Sequence, residues 1–292
     1  MQIFYKSINY KIWIIVFSLV LFPFTVFSQC ISKETVRNIV EDSISLPIKG
    51  IKEDVGVSEA YCIQSFIVDY LKNKGQKIIG YKVGFTGKKT QERFNISHPA
   101  YGVLFSEMFI DNGGNIASNF AYRPLIEPDL MVIVKDDKIM TAKNIKEVAE
   151  YLDTVHAFIE LPSLRFKKNE KITGARLIAA NMLATKMVMG KGVKVENSDA
   201  FIESLKNMDA IFYNRKGDQI QSAKGSALLG NPLNVVLWLV KEFNNKGKKL
   251  KKGDKISLGS VGKLFPITSG EKYIYKLEGL TNGSSIVEIN VD

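Results

Sequence analysis

The chain has 292 residues, 46% of them hydrophobic and 24% charged, and a formal net charge of +10 at neutral pH. With two cysteines and two histidines it is neither a disulfide scaffold nor the holder of a histidine-rich metal centre, so its chemistry rests on carboxylates, lysines and hydroxyls. The positive balance admits an anionic partner, but the densest lysine stretch, NNKGKKLKKGDK (244–255), lacks interleaved aromatics for stacking bases and reads as a solvated loop, so no nucleic acid is expected.

In chain order, MQIFYKSINYK carries two lysines and no acid and runs into the apolar IWIIVFSLVLFPFTVF. That run is shorter than the ~18–20 residues of a membrane-spanning helix, and Val26 and Ser28 supply a small-residue cleavage pattern. Residues 1–28 therefore read as a signal peptide, which predicts a periplasmic or secreted protein with no stable membrane insertion after cleavage. Its removal lowers the net charge to +8, because only Lys6 and Lys11 are lost. An oxidising compartment permits one bridge between Cys30 and Cys62, but no spacing rule fixes it.

Residues 31–45 and 58–75 have helical periodicity, the second opening on Ser58 as cap and ending at Gly75, and make a helical segment over 29–78. QKIIGYKVGF (76–85) reads as a strand, TGKKTQERF as a brief helix, GVLFSEMFI and PLIEPDLMVIV as strands, NIKEVAEYL as a helix and TVHAFIEL as a strand. LIAANMLATKMVMG (177–190) fits a helix or a buried strand. Lys216–Gly217–Asp218 signals a hairpin, residues 231–247 an amphipathic helix with Trp238 in the core, and two further strand regions with glycine turns end the chain. Strands without regular helix alternation predict a mixed α+β domain over 79–292.

In PLIEPDLMVIV (124–134), alternation puts Glu127 and Asp129 on one face of a strand that otherwise runs aliphatic. Two carboxylates pointing inward repel each other and lose hydration, and one hard cation relieves both penalties. Glu160, closing AFIEL, is a third acid at the end of a core strand. Three carboxylates leave the remaining positions on a metal open to water and substrate.

The stretches GYKVGFTGKKTQERFNISHPAYGVLF (80–105), PLIEPDLMVIV, AFIELP, GSALLGNPLNVVLWL (225–239) and GSVG (259–262), in that order and spacing over roughly 55–280, together resemble the fumarylacetoacetate hydrolase superfamily. The branch is that of the 2-oxopent-4-enoate hydratases and 2-oxo-hexenedioate decarboxylases. The resemblance implies a mixed β-roll binding Mg²⁺ or Mn²⁺ through Glu127, Asp129 and Glu160, with a small anionic 2-oxo acid as substrate and a homo-oligomer as the assembly. The metal would stabilise an enolate, and Lys82, in the G-x-K-x-G stretch, would be the catalytic lysine, its pKa lowered by the cation. Thr86, Asn181 and Ser260 stand at substrate-binding positions.

Departures accompany the matches. Asp129 replaces the usual Glu, behind Pro128. Ala180–Asn181–Met182–Leu183 lacks the acid and hydroxyl of the acid-Asn-small-Ser run, Leu258 replaces a Thr, and Asn231 stands where the hydratases have His. The metal frame is kept while the pocket is more apolar. The leading expectation is a metal-dependent hydratase, a lyase, acting on a 2-oxo-enoate. The alternatives are decarboxylation on the same frame, carbon–carbon hydrolysis, which needs a base to activate water and which the scarcity of histidine argues against although His98 could serve, and an exported binder without turnover.

Overall fold

A computed structural model describes residues 30–292, and the expected signal peptide lies outside the described residues. Two helices lead in, α1 (Lys33–Glu41) and α2 (Val57–Asn73). Ser32 caps α1 by accepting the Thr35 N–H at 3.0 Å. The cap of α2 is Gly56 rather than Ser58, which lies inside the first turn, because the backbone is already extended at the glycine. Cys30 and Cys62 form a disulfide that ties the start of the lead-in to α2.

Side chains from the lead-in and the body fasten the two together. Gln64, buried on α2, donates its amide to the carbonyls of Tyr101 (2.9 Å) and Ile178 (3.0 Å). In the opposite direction, Arg165 donates to Leu46 and Ile39 carbonyls and the buried Arg176 to that of Ile51. Backbone oxygens at the end of α1 and in the irregular 42–56 stretch are thus satisfied.

The remaining helices are α3 (Lys88–Arg93), α4 (Ile145–Glu150), α5 (Gly174–Ala179), α6 (Asp199–Asn207) and α7 (Pro232–Asn245). Asn231 caps α7 and Pro232 opens it, a pairing suited to a helix start. Trp238 is half-buried against the core, as the periodicity predicts. None of the described helices is long and apolar enough to cross a membrane.

One sheet is built from β1 (Ile78–Gly84), β2 (Ala100–Phe105), β3 (Phe109–Ile110), β5 (Leu125–Val134), β6 (Leu152–Leu161), β7 (Lys186–Met189) and β11 (Lys255–Ser260), in the order β2-β1-β11-β5-β6-β7-β3. Two short strands flank it, β8 (Val193–Lys194) on β6 and β12 (Phe265–Pro266) on β5. The other sheet runs β10-β9-β13-β14-β4, from β4 (Asn115–Ile116), β9 (Asp209–Tyr213), β10 (Gln219–Lys224), β13 (Lys272–Leu280) and β14 (Gly283–Val291). The ambiguous 177–190 stretch is both things in succession, α5 and then β7, joined by a turn at 181–183. The hairpin at Gly217 joins β9 to β10, with Gly217 at φ +85°.

Strands β5 and β6 pair along nearly their whole length and have two different faces. Leu130, Val132, Val134, Val155, Ala157, Ile159 and Leu161 enter the main core, together with Tyr275, Leu277, Val287 and Ile289 of the second sheet. On the other face Met131 and Phe158 pack with Leu104 and Met187 in a smaller cluster. Glu127, Asp129 and Glu160 belong to this second face by alternation.

Candidate metal and acid-binding site

Four neighbouring strands lay the site out. Lys82 on β1 is paired with Ser257 on β11; Ser257 and Ser260 are paired with Met131 and Asp129 on β5; Glu127 on β5 is directly opposite Glu160 on β6. Two like-charged side chains opposite each other weaken a strand pair unless a positive charge offsets them. Lys82 supplies one: its ammonium donates to Glu160 and, at 3.0 Å, to the Met182 carbonyl.

Ser257 and Ser260 reach the same acids because β11 carries a bulge. Three residues apart, they would ordinarily face opposite sides, but the register shifts between them around Gly259, whose φ is +93°. Ser257 donates to Asp129 Oδ2 at 2.9 Å while the Leu130 N–H donates to Oδ1 at 2.6 Å. Ser260 lies against Glu127 and donates to the Pro128 and Gly262 carbonyls. The bulge also accommodates Pro128, whose missing N–H would otherwise interrupt the pairing between β5 and β11. Gly259 comes so close to Thr86 that a Cβ there would stand 2.7 Å from its hydroxyl oxygen.

The cluster is almost shut off from solvent, with Lys82 6%, Asp129 0% and Glu160 1% exposed, and Glu127 and Ser260 are its half-buried members. Burial, and then the neighbouring Glu160, push the Glu127 carboxyl up to about 7. The same causes, with Glu127 added, hold Asp129 well above the usual carboxylate range. Burial works to lower the Lys82 pKa, but attraction to Glu160, Glu127 and Asp129 outweighs it and the net direction is up. The depression expected from a cation is thus not present with the carboxylates alone.

Among the described residues, no three His, Cys, Asp or Glu side chains stand in an array that holds a metal ion as placed. The Lys82 ammonium is drawn against Glu160 and so engages one of the three expected ligands. The chemistry of the donors nevertheless fits a hard divalent cation. All are carboxylate oxygens, the charged forms of Glu127 and Asp129 are penalised by burial and by neighbouring carboxylate charge in a way a cation would relieve, and Glu160 Oε2 is buried with no hydrogen-bond partner.

The other expected positions divide. Thr86 is buried against Gly259 of the bulge. Asn181 does not present its amide to the acids, because Oδ1 accepts from the Val103 N–H (2.7 Å) and Nδ2 donates to the Val103 carbonyl (2.9 Å). It anchors a turn in which Asn181, Met182 and Leu183 all have positive φ, 52°, 54° and 59°. Each such residue costs ~1–2 kcal/mol, so strain is concentrated beside Lys82. Asn231 caps α7 and donates to the Ile202 carbonyl, a structural duty. His98 Nδ1 lies 2.7 Å from the Pro99 carbonyl, and the ring lines a cavity of about 560 Å³ with Lys88, Gln91 and Asn95 but none of the acids. Sequence reasoning overlooked Ser257, because only the bulge reveals its direction, and the Met182 carbonyl, because a backbone acceptor leaves no composition signal.

No family model matches the chain. Its fold is that of a protein ascribed to the fumarylacetoacetate hydrolase family from Yersinia pestis CO92, with a TM-score of 0.50 at 13% identity over 73% of this chain and 92% of that one. A fuller match is to 4-oxalocrotonate decarboxylase from Pseudomonas putida G7, complexed with magnesium and adipate, with a TM-score of 0.76 at 21% identity over 89% of this chain and 96% of that one. In sequence the chain is similar to the 2-keto-4-pentenoate hydratase of Paraburkholderia xenovorans (strain LB400), 25% identical over 251 residues, which is 84% of this chain and 88% of the hydratase. The resemblance to the superfamily, in its hydratase and decarboxylase branch, is therefore borne out, and so is the mixed α+β fold. The hydratase and the decarboxylase are enzymes, and the decarboxylase was solved with magnesium.

Proposed function

We propose that the chain is a divalent-metal-dependent lyase of the hydratase type, adding water to the activated double bond of a small 2-oxo-enoate. The observation that carries this reading is the gathering of Glu127, Asp129, Glu160 and Lys82 on one buried face, with one Glu160 oxygen unpartnered. Glu127, Asp129 and Glu160 would hold Mg²⁺ or Mn²⁺. Bound there, the cation supplies Lewis-acid stabilisation of negative charge on the enolate form of the substrate.

The chain's own groups do the rest. Release of Lys82 from Glu160 leaves Nζ available to the substrate carboxylate or to a proton moving along the conjugated chain. Ser257 orients Asp129, and the Thr86 and Ser260 hydroxyls are the groups this reading assigns to a polar atom of the substrate.

The disulfide accords with a periplasmic or secreted location, which we propose together with cleavage after residue 28. In the same reading the helical segment 29–78 supports a catalytic β-roll at 79–292, in a homo-oligomer. A second reading, a binder without turnover, draws on Ala180, Leu183 and Leu258, which place no acid or hydroxyl where the hydratases have them. Purified protein with Mg²⁺, followed by ultraviolet absorbance against 2-oxo-enoates and β-diketo acids, separates the two. Loss of the enoate chromophore with formation of the hydroxy acid supports hydration; carbon dioxide release redirects the assignment to decarboxylation; tight binding without turnover identifies the binder.

A further inference from the structure

We infer that Met182 sets the length of acid the site admits, closing the space beside Lys82 so that only short-chain 2-oxo acids fit. The inference deepens the proposed function and rests on its 2-oxo acid reading. Lys82 and Gly84 share a face of β1, and Gly102 is the partner of Lys82 on β2. A Cβ on Gly84 would stand 2.5 Å from Met182 Cε, and one on Gly102 would stand 3.0 Å from Met182 Cβ and 2.7 Å from the Asn181 carbonyl. The Met182 side chain therefore covers β1 and β2 next to the lysine, and both strands carry glycine there because turn and side chain fill the room.

The turn that carries this side chain is held in place. The turn is pinned at one end by the paired Asn181–Val103 hydrogen bonds and in the middle by Lys82 on the Met182 carbonyl. Met182 itself is buried at 6% exposure. A substrate whose carboxylate and oxo group face the acids and Lys82 would extend its chain into the volume now taken by the thioether. Met182 contributes only its carbonyl to Lys82, so truncating the side chain preserves that contact and changes the space alone.

The test is calorimetric titration, in Mg²⁺, of wild type, Met182→Ala, Met182→Gly and Met182→Leu with pyruvate, 2-oxopentanoate, 2-oxohexanoate and 2-oxooctanoate. These saturated acids lack the reactive double bond. Wild type and Met182→Leu should gain no affinity beyond 2-oxopentanoate. The two truncated variants should gain about fourfold per added methylene, so that 2-oxooctanoate binds at least about tenfold more tightly than to wild type, with pyruvate unchanged within about twofold. Glycine suits a φ of 54°, so Met182→Gly carries the test should the alanine variant fail to fold. Binding of the series with the same chain-length profile in all four proteins overturns the inference alone. Binding of no member by any of them overturns the 2-oxo acid reading and the inference with it.

Discussion

Replacing Lys82 by Met removes the one ammonium among three carboxyl groups, two of them buried, while keeping much of the side-chain volume. Its partner Glu160 is 1% exposed and would be left with an uncompensated charge on Oε1 as well as an unpartnered Oε2. Breaking a buried pair from one side costs about 3–5 kcal/mol, and that loss is expected in urea unfolding at pH 8. At pH 5.5 the loss should shrink, because Glu127 and Asp129, both raised by burial, take up protons and lower the negative charge around Lys82. A divalent cation substitutes for the ammonium, so Mg²⁺ at about a hundred times its Kd should return about 2.7 kcal/mol. The variant should also bind Mg²⁺ more tightly than wild type, since no lysine competes for Glu160, while losing turnover. Equal stability of variant and wild type at both pH values, indifferent to Mg²⁺, would refute the argument that Lys82 serves as the counter-charge.

Glu127→Ala and Glu160→Ala should each abolish saturable Mg²⁺ or Mn²⁺ binding, measured by calorimetry, whereas Lys82→Ala should retain it. Without divalent metal, wild-type stability should fall as the pH rises from 5 to 8. The Glu127 pKa is raised in the folded state from 4.5 to about 7, so its contribution is present below the ordinary value and lost as pH climbs through the folded one, on the order of 2–3 kcal/mol. Saturating Mg²⁺ should offset that loss, because the cation takes the deprotonated carboxylates and competes with protons; urea midpoints at the two pH values check both statements. Reducing the Cys30–Cys62 bridge, which spans a sequence separation of 32, should cost about 3–4 kcal/mol, read as a lowered melting temperature in dithiothreitol.

Much of the site was legible because strands obey a period of two. Glu127 and Asp129 share a face by alternation alone, and Glu160 joins them through the β5–β6 register, which the sequence does not state but which places it opposite Glu127. The remainder was hidden by departures from regular geometry. A bulge at Gly259 turns both Ser257 and Ser260 toward the acids, and no periodicity rule accommodates an extra residue. Three successive left-handed residues at 181–183 convert Asn181 from a candidate ligand contact into an anchor, and they divide the 177–190 stretch into a helix and a strand whose apolar composition suited either. The α2 boundary was misplaced by two residues because a glycine can end a helix without offering a capping oxygen.

The attachment of α2 has a consequence for how the protein is handled. Residues 30–75 lend no atom to the carboxyl cluster, yet the Gln64 amide bridges Tyr101, the neighbour of Gly102, and Ile178, three residues ahead of Asn181. It works as a splint across the two segments that grip the left-handed turn. Trimming the chain to its sheets alone would loosen that grip, and whatever specificity such a fragment displayed would belong to a different pocket.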